Sequence, residues 1–168
     1  MVEAMKEFFN VIDPDEVFEY IQKFLPVGIE TVSLPQTVGR ILAEDIKSDI
    51  DLPDFRRATR DGFAVRGAST FGASEGNPAY LSVKGAVIMG ELPKFSIGPG
   101  EAVRISTGGM LPQGADSVIM IEHTATIDET TVEAYLSVAP GQNVIDVGED
   151  YGKGKTVLTV GTKLRPQE

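Results

Sequence analysis

Apolar residues divide the chain into a helical beginning and a long β-rich middle. Near the beginning they recur at the spacing of one helix face, at Val17, Tyr20, Ile21, Phe24 and Leu25. Asp13 can cap this helix, Pro14 suits its first turn, and Glu16 completes a capping box. Pro26 and Gly28 are expected to end it. The pattern predicts one amphipathic helix whose aromatic stripe packs in a core or against another subunit.

From residue 63 onward, short apolar runs alternate with Gly and Pro. The 18 glycines and 10 prolines of the chain disfavour long helices in this part. Strands are predicted over 63–66, 80–88, 102–106 and 117–122, followed by a hairpin of 125–127 and 131–136. The continuous apolar run 118–121 is typical of a strand that is buried on both faces.

Weaker signals surround these strands. We expect a short strand over 29–34 and a second, shorter helix from Pro35 with Ser33 as its cap. The polar segment 67–79 is predicted to be a mobile loop.

The fold class that this order predicts is α+β, mainly β. A β-rich domain at 51–139 is expected to be inserted into a split α/β domain made of 1–50 and 140–168. The reason is size, because the helical head and the glycine-flanked tail are each too short to bury a core alone.

Composition narrows the classes of function. The 168 residues carry a net charge of −10, and an acidic surface repels phosphate backbones, so nucleic acid is not an expected partner. The absence of cysteine excludes disulfides, thiolate metal sites and a cysteine nucleophile. No apolar run approaches the ~20 residues of a membrane helix, and the first residues do not form a signal peptide. We therefore expect a cytoplasmic protein without a membrane partner.

Three segments hold the candidate chemistry: 51–67, 104–116 and 148–154. The last two place hydroxyl or carboxylate side chains beside glycines after a strand-like run, where scaffolds usually present binding groups. The carboxylates and the hydroxyl could hold a hydrated Mg²⁺ or a polar edge of a substrate; they belong to Asp61, Thr107, Glu149 and Asp150. The structural alternative is that these residues form ordinary polar turns.

Glycines and arginines add possible anion contacts. Gly62 and Gly108 would let backbone N–H groups approach an anion closely. The first segment also contains four arginines, at 56, 57, 60 and 66, and Arg suits bidentate contact with phosphate or carboxylate. Either these arginines form a small anion pocket or they belong to a solvated basic loop with local aspartate partners.

Motifs of other site classes are missing: there is no P-loop, dinucleotide fingerprint or nucleophile elbow, and only one His.

Taken together, the three segments resemble the N-terminal region, domains I and II, of the MoeA family of molybdopterin molybdenumtransferases, which includes the gephyrin E domain. The likeness covers nearly the whole chain in the family's order. The matching positions are Pro53, Phe55, 61–65, 98–105, Thr107, Gly108, Leu111, Pro112, 114–116, Val118, Glu122, 148–150, Gly161 and Thr162.

The resemblance implies a function in molybdenum-cofactor biosynthesis. Proteins of this type insert molybdate into adenylylated molybdopterin with a divalent metal such as Mg²⁺, and they are homodimers with a cleft between subunits. Catalytic roles would fall on Asp61, Thr107 and Asp150. Contacts with the substrate would fall on Gly62, Gly108, Glu149, Arg57 and Arg60. The molybdopterin-binding catalytic domain of the family is expected to be absent from this chain, which alone would then be inactive.

Two positions depart from the family pattern. The family's small polar residues before Asp61 are replaced by the segment 56–60, with three arginines, and a family arginine is replaced by Ile145. Losing a hydrogen-bonding group at a ligand site is not a conservative change. An alternative function is therefore a non-catalytic MoeA-like binding or scaffolding module with a diverged arginine-rich loop.

Overall fold

The computed structural model describes residues 12–25 and 27–168, which divide into two compact units. One unit contains 12–25, 27–43 and 160–168, and the other contains 44–159. The domain boundaries expected at 50/51 and 139/140 stay a prediction.

The smaller unit contains the one α-helix of the described residues, α1 (Pro14–Gln22). As predicted, Asp13 caps it, because its side chain accepts a hydrogen bond of 3.0 Å from the Asp15 N–H. The helix ends before the apolar stripe does, and the predicted stop at Pro26 lies outside the described residues. No residue of α1 is buried, and the Phe18 side chain is 64% exposed.

The remaining part of the smaller unit differs from the prediction. A 3-10 helix at Leu34–Gln36 replaces the expected α-helix, and the Ser33 hydroxyl donates to the side chain of Gln36 at 3.0 Å. The strand predicted over 29–34 is wrong, because these residues join no ladder within the described chain. The tail bonds instead to the segment that follows the 3-10 helix, since Leu42 N–H donates to Thr162 C=O at 2.9 Å.

The larger unit contains all ten strands of the described residues. They are β1 (Ile46–Lys47), β2 (Arg57–Ala58), β3 (Gly62–Val65), β4 (Ala79–Ala86), β5 (Glu101–Ile105), β6 (Ser117–Met120), β7 (Thr124–Asp128), β8 (Thr131–Ala134), β9 (Val144–Ile145) and β10 (Thr156–Leu158). Six of them form one sheet in the order β6-β3-β5-β4-β8-β7, in which only β4 and β5 are parallel. The predicted strands and hairpin of this region are confirmed to within a few residues.

Strand β3 lies at the centre of the core. It pairs antiparallel with β5 on one side and β6 on the other, and all four of its residues are buried. Ala64 points into one apolar cluster with Val103 and Val118, whereas Phe63 points into the other with Leu81. The sheet therefore has a core on each face, which fixes the strand ends from which the polar loops emerge.

Segment 67–79, predicted as a mobile loop, begins with a 3-10 helix at Gly67–Thr70. Thr70 is fully buried; its hydroxyl donates to Gly67 C=O at 2.8 Å and accepts from the Val138 N–H at 2.9 Å. This hydroxyl satisfies two buried backbone groups and attaches the segment to the core.

The mainly β fold class is confirmed by this architecture. Two short ladders complete it, β1 with β10 and β2 with β9. Among the described residues, no helix has the length and apolar character that a membrane crossing requires.

Candidate functional site

The sheet register brings Asp61 and Thr107 together. Gly62 pairs with Ile105, so the residue before β3 lies opposite the turn that follows β5. Asp61 Oδ1 accepts from the Thr107 N–H at 2.7 Å and from its hydroxyl at 2.9 Å. These two bonds, the backbone bond first, lower the pKa of the Asp61 carboxyl below its ordinary value. Asp61 is thus an ionised carboxylate held in one orientation.

The glycines beside this pair are required by close packing. A Cβ on Gly62 would lie 1.9 Å from the Ile119 carbonyl oxygen, so only glycine lets β6 approach β3 at this point. Gly108 has a φ of +83° and its N–H donates to Ala58 C=O at 2.8 Å. In this conformation the Gly108 N–H is already bonded to the backbone of the protein itself. Ligand binding by Gly62 and Gly108 stays a prediction.

Strand β2 connects this turn to β9, the strand just before the third segment, and the Gly148 N–H of that segment donates to Pro53 C=O at 2.9 Å. Ala58 N–H donates to Gly109 C=O at 2.9 Å, while on its other side β2 pairs with β9. Arg57 lies opposite Ile145 in β9 and forms an isolated bridge with Met110. The three segments that the sequence singled out are therefore joined by backbone hydrogen bonds within the larger unit.

Two arginines of the first segment form ion pairs, one with the third segment and one with a residue just before it. Arg57 Nη2 lies 3.3 Å from Asp150 Oδ2, with 38% and 58% of the two side chains exposed, and Arg56 Nε lies 2.7 Å from Asp146 Oδ1. At such exposure an ion pair adds little stability. The two ion pairs instead orient the guanidinium groups, since each arginine has a specific acidic partner.

The segment 148–154 is held by its backbone and by two carboxylates. Asp150 N–H donates to Leu52 C=O at 3.0 Å, and Asp51 Oδ1 accepts from the Lys153 N–H at 2.7 Å. Glu149 Oε2 accepts from the Asp146 N–H at 2.8 Å, so it closes the turn in which it lies. Its part in substrate binding stays a prediction.

Arg60 differs from its two neighbouring arginines. It is exposed, and it makes no hydrogen bond or ion pair with any residue that the structure describes.

An open groove of about 520 Å³ lies near the Thr107 turn, between the segment 92–96 and the residues Met110, Leu111 and Gln113.

Sequence reasoning missed Asp146 and Asp51. Asp146 binds Arg56 and Asp51 anchors the 148–154 segment, yet neither stands in a recognisable motif. For Asp146 the arginine-rich segment was the available signal, because such cations require nearby carboxylates; Asp51 accepts from a backbone N–H, for which the sequence has no such signal.

Comparison with known proteins connects these segments to one family. A family model described as "MoeA N-terminal region (domain I and II)" matches residues 12–168. A molybdopterin molybdenumtransferase of Bacillus subtilis is 39% identical over 96% of this chain and 39% of its own length. A putative molybdopterin biosynthesis protein of Methanocaldococcus jannaschii is 41% identical over 89% of this chain and 36% of its own length.

A solved structure matches as well. The molybdopterin biosynthesis MoeA protein of Pyrococcus horikoshii superposes with a TM-score of 0.81 at 43% identity, over 94% of this chain and 40% of that protein. The present chain thus spans about two fifths of the length of the proteins that it resembles.

Proposed function

Because this chain belongs to the MoeA N-terminal region family, we propose that it acts in molybdenum-cofactor biosynthesis. It supplies part of the cleft in which a cytoplasmic molybdenum-inserting protein transfers molybdate to adenylylated molybdopterin. The observation that carries this proposal is the oriented Asp61–Thr107 pair, joined through β2 to Arg57 and Asp150.

In the proposal, Asp61 and Thr107 position the ligand. Asp61 uses one carboxylate oxygen for both bonds from Thr107, which leaves Oδ2 to accept a hydrogen bond from a polar group of the pterin. Because the pKa of Asp61 is lowered, it remains an acceptor and does not act as an acid at neutral pH. A molybdopterin-binding domain, such as the family has, would supply the remaining walls.

Arg57 and Arg60 would bind the anionic parts of the ligand. Arg60 has no partner among the described residues, and Arg57 is partly exposed beside Asp150. Guanidinium groups suit the oxygens of phosphate and molybdate, since both present several acceptors to a planar donor. Glu149, Gly62 and Gly108 would then shape the loops around these contacts.

The residues that the structure describes do not fit a Mg²⁺ site by themselves. A magnesium ion needs near-octahedral oxygen ligands, but no three His, Asp or Glu side chains of the described segments could share one ion. Asp61 Oδ1 is already occupied by Thr107, and Asp150 faces a guanidinium. We therefore assign no step to this ion here.

The proposed assembly is a homodimer. Apolar side chains of α1 are exposed, including Phe18 at 64% and Ile21 at 55%. A row of exposed aromatic and aliphatic groups of this kind often marks a protein–protein contact. Light scattering should give the mass of two chains at micromolar concentration, and a single-chain mass would contradict the proposal.

A chimera tests the function. The region of the Bacillus subtilis molybdenumtransferase that aligns with this chain, 39% of its length, is replaced by the chain, and molybdenum-cofactor formation is measured. We expect turnover, and a large loss in the Asp61→Asn variant. Asp128→Asn is the matched control, because Asp128 accepts the same pair of bonds from Thr130 in a hairpin outside the candidate site.

The outcomes separate two classes of function. Turnover that survives Asp61→Asn unchanged would refute the role of that residue. A folded but inactive chimera that still forms dimers would favour the non-catalytic scaffolding function, in which Arg60 serves another anionic partner.

A further inference from the structure

Arg57 occupies a position fixed by the backbone on two sides. Its strand, β2, pairs with β9 at Ile145, and the residue also bridges Met110 of the neighbouring turn. Its partner is equally fixed, because the Asp150 N–H donates to Leu52 C=O at 3.0 Å. Although 93 positions separate Arg57 and Asp150, their contact at 3.3 Å thus joins two anchored residues.

The Arg57 guanidinium contacts the carboxylate of Asp150, which the family resemblance assigns to the site. Within the described chain, Asp150 has no other cationic partner, and no three acidic or histidine side chains could hold a metal ion around it. The positive charge at Asp150 is therefore supplied by a side chain of the protein itself.

The same guanidinium retains donors for a ligand. Of its five N–H groups, only one on Nη2 is engaged by a residue in the described part of the chain, and 38% of the side chain is exposed. With Asp150 neutralised by the ion pair, an anion at this point meets a donor without facing an unpaired carboxylate.

We propose that Arg57 takes the place of a divalent cation at Asp150: it neutralises this carboxylate and presents its remaining N–H groups to a tetrahedral oxyanion of the ligand. This inference rests on the proposed function in taking Asp150 as a site residue. It goes further by naming how the anion is held and by excluding a metal from this carboxylate.

The test uses the 168-residue chain itself and two separate titrations followed by NMR. Inorganic phosphate and molybdate are the oxyanion probes, and they distinguish a phosphate group from molybdate as the source of the anion. Mn²⁺ is the metal probe, because it broadens the signals of residues near its site. In the wild type we expect oxyanion-induced shifts of the Arg57 Nε–H and no selective Mn²⁺ broadening at Asp150.

Arg57→Gln should weaken oxyanion binding about tenfold or more and allow Mn²⁺ broadening at Asp150. Arg56→Gln is the matched control, since it opens the comparable Arg56–Asp146 pair and should leave both readouts at Asp150 unchanged. Arg57→Lys keeps the charge without the planar donor, so it should still exclude Mn²⁺ but bind the oxyanion more weakly. It provides a second test if Arg57→Gln does not fold.

Two results would overturn the inference. One is selective Mn²⁺ broadening at Asp150 with Arg57 in place; the other is oxyanion affinity that does not change in Arg57→Gln. Neither titration measures turnover, so an inactive chimera with the expected titrations would refute only the proposed function.

Discussion

Asp61 and Thr107, 46 positions apart, form the same pair of hydrogen bonds that Asp128 and Thr130 form two positions apart. In both, one carboxylate oxygen accepts from the threonine N–H at 2.7 Å and from its hydroxyl at 2.9 Å. At Asp128 this is a local turn within the β7–β8 hairpin, whereas at Asp61 the register of β3 and β5 creates it. The local turn therefore provides an internal control for the tertiary contact.

Thr107→Val should raise the pKa of Asp61 toward its ordinary value without restoring it fully. The hydroxyl bond is lost, but the backbone bond, which is the larger cause of the lowered pKa, remains. An NMR titration of the carboxyl carbon measures the change. In the chimera we expect turnover to fall as well.

Thr130→Val should move the pKa of Asp128 in the same direction and leave turnover unaffected, because the hairpin lies outside the candidate site. Equal loss of turnover in the two variants would show that the Thr107 effect is one of stability.

Acid should remove the contribution of Asp61 to stability. Its pKa in the folded chain is lowered from 3.8, so the unfolded chain binds the proton more readily. The contribution is therefore complete above pH 3.8 and is lost as pH falls through the lower folded pKa. Urea unfolding of the wild type and Asp61→Asn across this range measures it. A difference between the two proteins that does not vary with pH would contradict this account.

Gly62→Ala should destabilise the larger unit by at least about 2 kcal/mol. The new Cβ would lie 1.9 Å from the Ile119 carbonyl oxygen, so β3 and β6 would have to separate. Gly76→Ala is the control, because a methyl group at that position would have no atom within 4 Å and its effect should stay within about 1 kcal/mol. Urea unfolding followed by circular dichroism distinguishes the two, and equal midpoints would contradict the steric explanation.

The sequence predicted the strands whose apolar residues follow directly from burial in the sheet. Strand β6 was recognisable because Val118 and Ile119 are buried on opposite faces of the sheet, which leaves a continuous apolar run. The run 29–34 also contains apolar and β-branched residues, but a strand needs a partner as well, and pairing is decided by the rest of the fold.

The resemblance names candidate site residues, whose roles stay a prediction, but it does not predict which of them touch. The resemblance pointed to Asp61, Thr107 and Asp150, and the structure joins the first two directly. That Asp150 would meet Arg57 could not be read from spacing, because 93 positions separate them and the contact depends on how β2 lies between two other segments. Charge composition indicates that a cation has an acidic partner, but only tertiary structure identifies that partner.

Thr70→Val should cost about 1–3 kcal/mol of unfolding free energy, although valine has nearly the shape of threonine. The buried hydroxyl accepts from the Val138 N–H at 2.9 Å and donates to Gly67 C=O at 2.8 Å, so its loss leaves the buried Val138 N–H unsatisfied and removes one bond to Gly67 C=O. Urea unfolding measures the cost. Thr126→Val, on the exposed face of β7, is the control and should change stability by less than about 0.5 kcal/mol. If both variants behave alike, segment 67–79 is not attached to the core through this hydroxyl.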